Sequence, residues 1–187
     1  MKKIVIGLLV VAILVIIAGV GGLYYIKPDK KLDLAYENIP MKDRAYDMLK
    51  NLTTELTLTE KDVINLAKKS LAENPRVEKD VTVTGADFDL NEDKLVADLN
   101  IVWKNRISAG IQVTYRLQWE SPNVVATVEQ AKMKGIPLPV SMFSDRVIPI
   151  AQDLPDILKI KDLKWGEQEV KVQFQRPTLR DLQQLLG

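Results

Sequence analysis

The chain has 187 residues, and its 26 basic and 25 acidic residues leave a formal net charge of +1. A near-neutral chain lacks the excess of lysine and arginine that binds nucleic acids or anionic lipids, so no nucleic-acid partner is expected. The absence of histidine and cysteine excludes Ser-His-Asp triads, imidazole or thiolate metal sites, and disulfide bonds. The composition therefore predicts a protein that is not an enzyme and has no cofactor.

The N-terminal residues predict a membrane anchor. Residues 4–26 carry no charge and follow the basic pair Lys2 and Lys3. About 20 apolar residues in a helix suffice to cross a bilayer core of about 30 Å. A cleaved secretory signal is the alternative, but its apolar core usually has only about 7–15 residues. Tyr24 and Tyr25 stand at the far end of the run, where aromatic rings prefer the membrane interface. We therefore expect a single-pass signal-anchor over residues 1–27.

The orientation of this anchor follows from its basic head. Three residues, Met1-Lys2-Lys3, precede the apolar core as in exported proteins. Basic residues such as Lys27 and Lys30 also follow the core and argue for the opposite orientation, but acidic residues are interspersed among them. We expect the N-terminus inside the cell membrane and the bulk of the chain extracytoplasmic.

Two helices are expected after a polar tether of mixed charge over residues 28–40. Apolar residues at helical spacing predict a short first helix from Met41 to Leu52. Two overlapping capping signals, 57–60 and 59–62, precede a longer helix, which Asn74-Pro75 ends. The apolar stripe of this second helix consists of Val63, Leu66, Ala67 and Leu71.

From Val77 the hydrophobic period changes from helical to two. Four strands are predicted, over residues 77–90, 95–103, 111–120 and 124–133. The alternation shifts parity near Gly85-Ala86, which predicts a β-bulge. One apolar and one polar face are typical of an antiparallel meander. Strands of about ten residues exceed the usual length, so we expect a strongly curved sheet wrapped about a helix.

The C-terminal part is expected to complete an α+β fold. Residues 136–139 should interrupt the sheet, because prolines cannot donate to a ladder. A third helix is predicted from Val140, Phe143, Val147 and Ile150 and ends near Pro155. Residues 158–165 and 169–175 should form a closing hairpin, and Thr178 caps a last short helix. The expected fold is thus an N-terminal transmembrane helix followed by a long-stranded, curved antiparallel sheet packed on helices, with an extracytoplasmic domain over residues 41–187.

Acidic residues offer two candidate sites that we do not interpret as functional. Five residues are spaced as in a calcium loop: Asp87, Asp89, Asn91, Asp93 and Asp98. Glu92 stands where such a loop needs glycine, so a solvated acidic hairpin turn is expected instead of a metal site. Asp145 and Asp153 flank the third predicted helix without a further converging group, as ordinary surface acids do.

Apolar residues provide the candidate ligand site. Three tryptophans fall on the inward parity of predicted strands, as core residues or as the lining of an apolar cavity. The string Gly135-Ile136-Pro137-Leu138-Pro139 either belongs to the core or provides an apolar rim at the mouth of a groove. The ligand-binding residues expected on the second alternative are Trp103, Trp119, Ile136, Leu138, Met142, Phe143 and Trp165.

Several of these features resemble a known family. The N-terminal anchor, the string Leu56-Thr57-Leu58-Thr59-Glu60 before a helix, the long strands and the string 135–139 are similar to the YpmS family of membrane-anchored proteins of Gram-positive bacteria. The resemblance covers nearly the whole chain and implies no catalytic residues. A helix cradled by a long curved meander is also similar, by analogy of architecture, to half-modules of tubular lipid-binding (TULIP-like) proteins.

Two functions are compatible with these expectations. The first is a membrane-tethered, extracytoplasmic, non-enzymatic domain that binds a lipid or an acyl chain in a groove between sheet and helix. The alternative is a protein-interaction module in cell-envelope or membrane-protein assembly. An elongated apolar cavity would support the first function, and a filled core with an exposed groove or edge would support the second.

Overall fold

The structure is a computed structural model that describes residues 19, 21–51, 53–151, 154 and 158–176. Among these residues no helix is both long and apolar enough to cross a membrane. Most of the anchor expected at residues 1–27, the last predicted helix and Asp153 lie outside the described residues.

Helices and strands do not alternate regularly along the described chain, as expected for an α+β protein. In chain order they are α1 (Met41–Lys50), β1 (Glu55–Thr59), α2 (Glu60–Glu73), β2 (Arg76–Glu78), β3 (Val81–Asn91), β4 (Lys94–Trp103), β5 (Ile107–Glu120), β6 (Asn123–Met133), β7 (Ile136–Leu138), a 3₁₀ turn (Val140–Met142), β8 (Arg146–Ile148), β9 (Ile160–Trp165) and β10 (Glu169–Phe174).

These strands form two antiparallel sheets. The large sheet has the order β2-β3-β4-β5-β6-β7, and β8 pairs with β6 on the same side as β7. The small sheet has the order β1-β10-β9. The large sheet curls into a half-barrel, and the Arg146 side chain of β8 links this strand to β2 at the other edge by donating to the Val77 carbonyl (2.5 Å) and to Glu78 (2.9 Å). The predicted α+β class with a curved antiparallel sheet is confirmed.

The long strands form because one face of each is buried. In β4, Leu95, Ala97, Leu99 and Ile101 are buried, and the residues between them are not. The predicted bulge is also confirmed: Val83 pairs with Ile101 and Gly85 with Asn100, so one residue of β3 is left over.

The large sheet has two ends, and each half buries its own core. The proximal end carries the β2–β3, β4–β5 and β6–β7 turns, and the distal end carries the β3–β4 and β5–β6 turns. The proximal core lies on the large sheet and includes Val83, Leu99, Ile111 and Val113. The distal core joins the large sheet to α1 and to the small sheet, with buried residues such as Met48, Leu58, Leu90, Leu117, Leu163 and Phe174.

Helix α2 begins where one of the two capping signals placed it. Thr59 is the N-cap, and its hydroxyl accepts from the Asp62 N–H (3.3 Å), while the Asp62 carboxylate accepts from the Thr59 N–H (3.0 Å). This reciprocal capping box satisfies donors that the first turn leaves free.

Two expectations about the remaining elements are wrong, and one strand was not expected. Residues 140–150 do not form a helix: they contain a 3₁₀ turn and β8. Residues 136–138 do not interrupt the sheet but form β7, where Pro137 is tolerated because β7 is an edge strand. Strand β1 was not expected, and it pairs with β10 from Glu55↔Gln173 to Thr59↔Glu169. The closing hairpin is confirmed as β9 and β10.

Candidate functional site

Residues 26–33, here named the strap, cross one face of the large sheet. The Gly110 N–H donates to the Ile26 carbonyl (3.0 Å), the Asn100 side chain to the Lys30 carbonyl (2.8 Å), and the Ala86 N–H to the Asp33 carbonyl (3.0 Å). These bonds lead the strap across β5, β4 and β3 in turn. The first part of the segment expected as a tether, residues 28–33, therefore lies against the domain.

Two glycines make room for the strap. A Cβ at Gly85 would overlap the carbonyl of Leu32, and one at Gly110 would lie 3.1 Å from Cα of Pro28. Gly85 pairs with Asn100, and Asn100 pairs with Gly110. Because directly paired residues point to the same face of a sheet, these three positions form one row across the sheet beneath the strap.

A cleft of about 390 Å³ with charged and apolar lining residues opens beside the strap. The Gln112 amide donates to Asp98 (2.8 Å), and Lys134 forms an ion pair with Asp29. Charges of both signs therefore line the cleft, which does not suit an acyl chain. Its lining comprises Asp29, Lys30, Leu32, Asp98, Leu99, Asn100, Gly110, Ile111, Gln112, Lys132, Lys134 and Gly135.

A second surface is apolar and exposed. Among the described residues, five of the eleven exposed large apolar side chains fall within residues 136–148, with exposed fractions between 39 and 64 %. They belong to β7, the 3₁₀ turn and β8, all on the outer side of β6. This surface, here named the apolar edge, consists of Ile136, Val140, Met142, Val147 and Ile148.

Polar contacts fix the apolar edge onto the sheet. Asp145 accepts a hydrogen bond from the Val128 N–H (2.8 Å), and Glu78 accepts from the Ser144 N–H (3.3 Å). Burial raises the pKa of the Tyr115 phenol, and the nearby Arg146 guanidinium only partly offsets this, so the phenol stays protonated at neutral pH. The hydrogen bonds of Asp145 and Ser144 thus hold the backbone of the apolar edge against the sheet, and Asp145 binds the backbone of β6.

The seven residues expected to bind a ligand do not line one groove. Trp119 and Trp165 are half-buried and pack on the distal core, whereas Leu138 and Phe143 are half-buried and pack on the proximal core. The other three are exposed: Trp103 at the end of β4, and Ile136 and Met142 on the apolar edge.

Sequence reasoning missed the strap and part of the apolar edge. The strap could have been inferred from one feature of the sequence. Gly85 and Gly110 lie inside strands that otherwise alternate apolar and polar residues, and such glycines often mark a close approach of another backbone. Val147 was expected on a helix, whereas Ile136 and Met142 were expected on an apolar rim and are both exposed. The acidic residues 87–98 lie on the hairpin of β3 and β4, whose turn consists of Glu92 and Asp93.

Comparisons of the chain with protein-family models, with curated proteins and with solved structures found no match. The likeness to the YpmS family and to TULIP-like modules stays a prediction from the residues and the architecture.

Proposed function

We propose that the protein is a non-enzymatic, membrane-tethered extracytoplasmic module that binds a partner protein through its apolar edge. The observation that supports this function is the concentration of exposed apolar side chains on one supported edge of the sheet. A cluster of exposed apolar side chains is uncommon on a soluble domain and often marks an interaction site. The tether itself is the anchor expected from residues 1–27.

The length of the apolar edge favours a protein over a lipid bilayer as its occupant. Ile136 pairs with Met133 and Ile148 with Val124, so the edge extends along ten residues of β6. At about 3.3 Å per residue this is about 30 Å along the strand. If the expected anchor places the end of the sheet near Gly110 at the membrane, a bilayer touches only one end of this strip, whereas a folded protein can cover all of it.

The surroundings of the edge favour an apolar partner surface over a charged peptide or an added strand. Charged groups beside the edge pair with each other in the Arg146–Glu78 ion pair (2.9 Å). The two edge strands have three residues each, and Pro137 and Pro149 remove donors next to them. Since short, proline-containing edges resist strand addition, we propose binding by side-chain packing.

Lipid binding, the other function expected from the sequence, has less support. The described inward side chains pack into two cores, and the described cleft carries charged groups. A partner surface therefore explains the exposed apolar residues better than an acyl chain does.

Val147→Lys is expected to weaken binding of the partner at least tenfold. The reason is that burying an ammonium in an apolar contact costs more than the about 1.4 kcal/mol that a tenfold change requires. A photo-crosslinking residue at Met142 of the full chain, in its native membrane, would first identify the partner. The affinity of the purified partner for the wild-type and variant full chains would then be measured. Tyr46→Lys is the matched control, because Tyr46 is an exposed aromatic residue on α1, away from the edge.

Four outcomes would contradict the proposal. The first is equal affinity of the wild-type and Val147→Lys chains, and the second is equal weakening by Tyr46→Lys. A crosslinked product of two copies of this chain would make the edge a self-association surface. A crosslink to lipid would instead support the lipid-binding function.

A further inference from the structure

The anchor enters the domain at the proximal end without a free linker. Ile26 is the last residue of the uncharged run, and its carbonyl already accepts the Gly110 N–H (3.0 Å). Gly110 lies three residues from the start of β5, and the strap continues at once across the sheet. If residues 1–26 span the bilayer, the proximal end of the sheet must lie at the membrane surface.

The two ends of the sheet differ in charge. Within two residues of the three proximal turns stand five basic and two acidic residues, whereas the two distal turns have three acidic residues and one basic residue. The near-zero net charge of the chain conceals this segregation. The proximal residues are Glu78, Lys79, Asp80, Lys104, Arg106, Lys132 and Lys134, and the distal ones are Glu92, Asp93, Lys94 and Glu120.

An exposed tryptophan stands at the proximal end. Trp103 is the last residue of β4 and is 43 % exposed, and the Lys104 ammonium lies 4.7 Å from the centre of its ring. The β4–β5 turn projects beyond it, closed by a hydrogen bond from the Arg106 N–H to the Trp103 carbonyl (3.1 Å). In the anchor segment Lys27 lies in the same way over the exposed ring of Tyr24 (5.2 Å).

We infer that the β4–β5 turn is a second membrane contact, which inserts Trp103 into the interface of an anionic bilayer and places Lys104 and Arg106 among its head groups. Tryptophan prefers the boundary between hydrocarbon and water, and each basic residue near an anionic surface adds about 1 kcal/mol of attraction. The inference rests on the proposed tethering by residues 1–27. With two contacts the sheet stands upright on the membrane, and the apolar edge faces sideways toward a neighbouring protein.

The absence of cysteine from the chain allows a direct test with single labels. Asn105→Cys at the β4–β5 turn and Glu92→Cys at the β3–β4 turn are a matched pair: both residues are exposed, both lie in turns and both have positive φ (54° and 51°). Each full-length variant would carry an environment-sensitive fluorophore in vesicles of phosphatidylcholine and phosphatidylglycerol. Lipids with quenchers at known depths are expected to quench the label at position 105 several-fold more than the label at position 92. Lys104→Glu with Arg106→Glu should reduce that quenching.

Equal and weak quenching at both positions would overturn the second contact. Flotation of the same full chain with vesicles after alkaline extraction tests the anchor separately. A chain that floats but shows no quenching at position 105 keeps its tether and lacks the second contact. A chain that does not float disproves the tether, and quenching at position 105 would then show that the turn binds the membrane alone.

Discussion

Gly85→Ala is expected to lower the free energy of unfolding by about 3 kcal/mol, the upper part of the range for overpacking. The added Cβ would overlap the Leu32 carbonyl and lie 2.9 Å from the Asp33 nitrogen. Both are backbone atoms, so the strap would have to leave the sheet. That movement would also break the hydrogen bond from the Ala86 N–H to the Asp33 carbonyl. Urea unfolding of the full chain in mild detergent, followed by tryptophan fluorescence, would measure the change.

Two other glycines provide graded controls for Gly85. A Cβ at Gly110 would lie 3.1 Å from Pro28 Cα, so Gly110→Ala should cost about 1 kcal/mol. At Gly166 the nearest atom is Cγ of Glu169 (2.9 Å), on a flexible side chain, and Gly166→Ala should stay within about 0.5 kcal/mol of the wild type. An equal change in the free energy of unfolding at all three positions would contradict the packing of the strap on Gly85 and Gly110.

The strap could not be predicted because its hydrogen bonds with the sheet come from its backbone. They use the carbonyls of Ile26, Lys30 and Asp33, and a carbonyl is present whatever the side chain. Residues 28–40 accordingly show no hydrophobic period and were interpreted as a tether. The information lay in the partner strands, at Gly85 and Gly110.

The four long strands were predictable for the opposite reason. Each has one buried face, so burial imposes a period of two on the side chains, as Leu95, Ala97 and Leu99 show. The same logic failed for residues 140–150. Val140 and Val147 match a helical period, yet both are exposed, so no buried stripe produced their spacing. Strand β8 instead pairs with the open edge of β6. This is a tertiary interaction, which the local spacing of apolar residues does not encode.

The candidate site was predictable only in part. Ile136 and Met142 were expected on an apolar rim, and the structure exposes both. The expected groove would have joined them to Trp119 and Trp165, but these two pack on the distal core. Inward parity identifies a buried face, and it does not say which of two cores along a ten-residue strand that face belongs to.

The junction of α1, β1 and α2 depends on one carboxylate. Asp62 is 5 % exposed, and its Oδ2 accepts from Arg44 Nη1 (2.8 Å), from the Thr59 N–H (3.0 Å) and from the Thr59 hydroxyl (3.0 Å). Asp62→Ala is expected to lower the free energy of unfolding by about 2 kcal/mol at neutral pH, because it removes the Asp62 half of the capping box and leaves the partly exposed Arg44 guanidinium without its acceptor. Asp47→Ala on the exposed face of α1 is the control and should change it by less than about 0.5 kcal/mol.

The same carboxylate should make stability depend on pH. Burial alone would raise the pKa of Asp62, but the Arg44 guanidinium and the hydrogen bonds from Thr59 outweigh it and hold the pKa below its ordinary value. A carboxyl whose pKa is lower in the folded state stabilises the fold above its unfolded pKa of about 3.9, and this contribution is lost as the pH falls through the folded value. The stability difference between wild type and Asp62→Asn should therefore be constant near neutral pH and shrink below about pH 4. Urea unfolding of both full chains across this range would measure it, and a difference that stayed constant down to acid pH would show that the charge of Asp62 does not stabilise the junction.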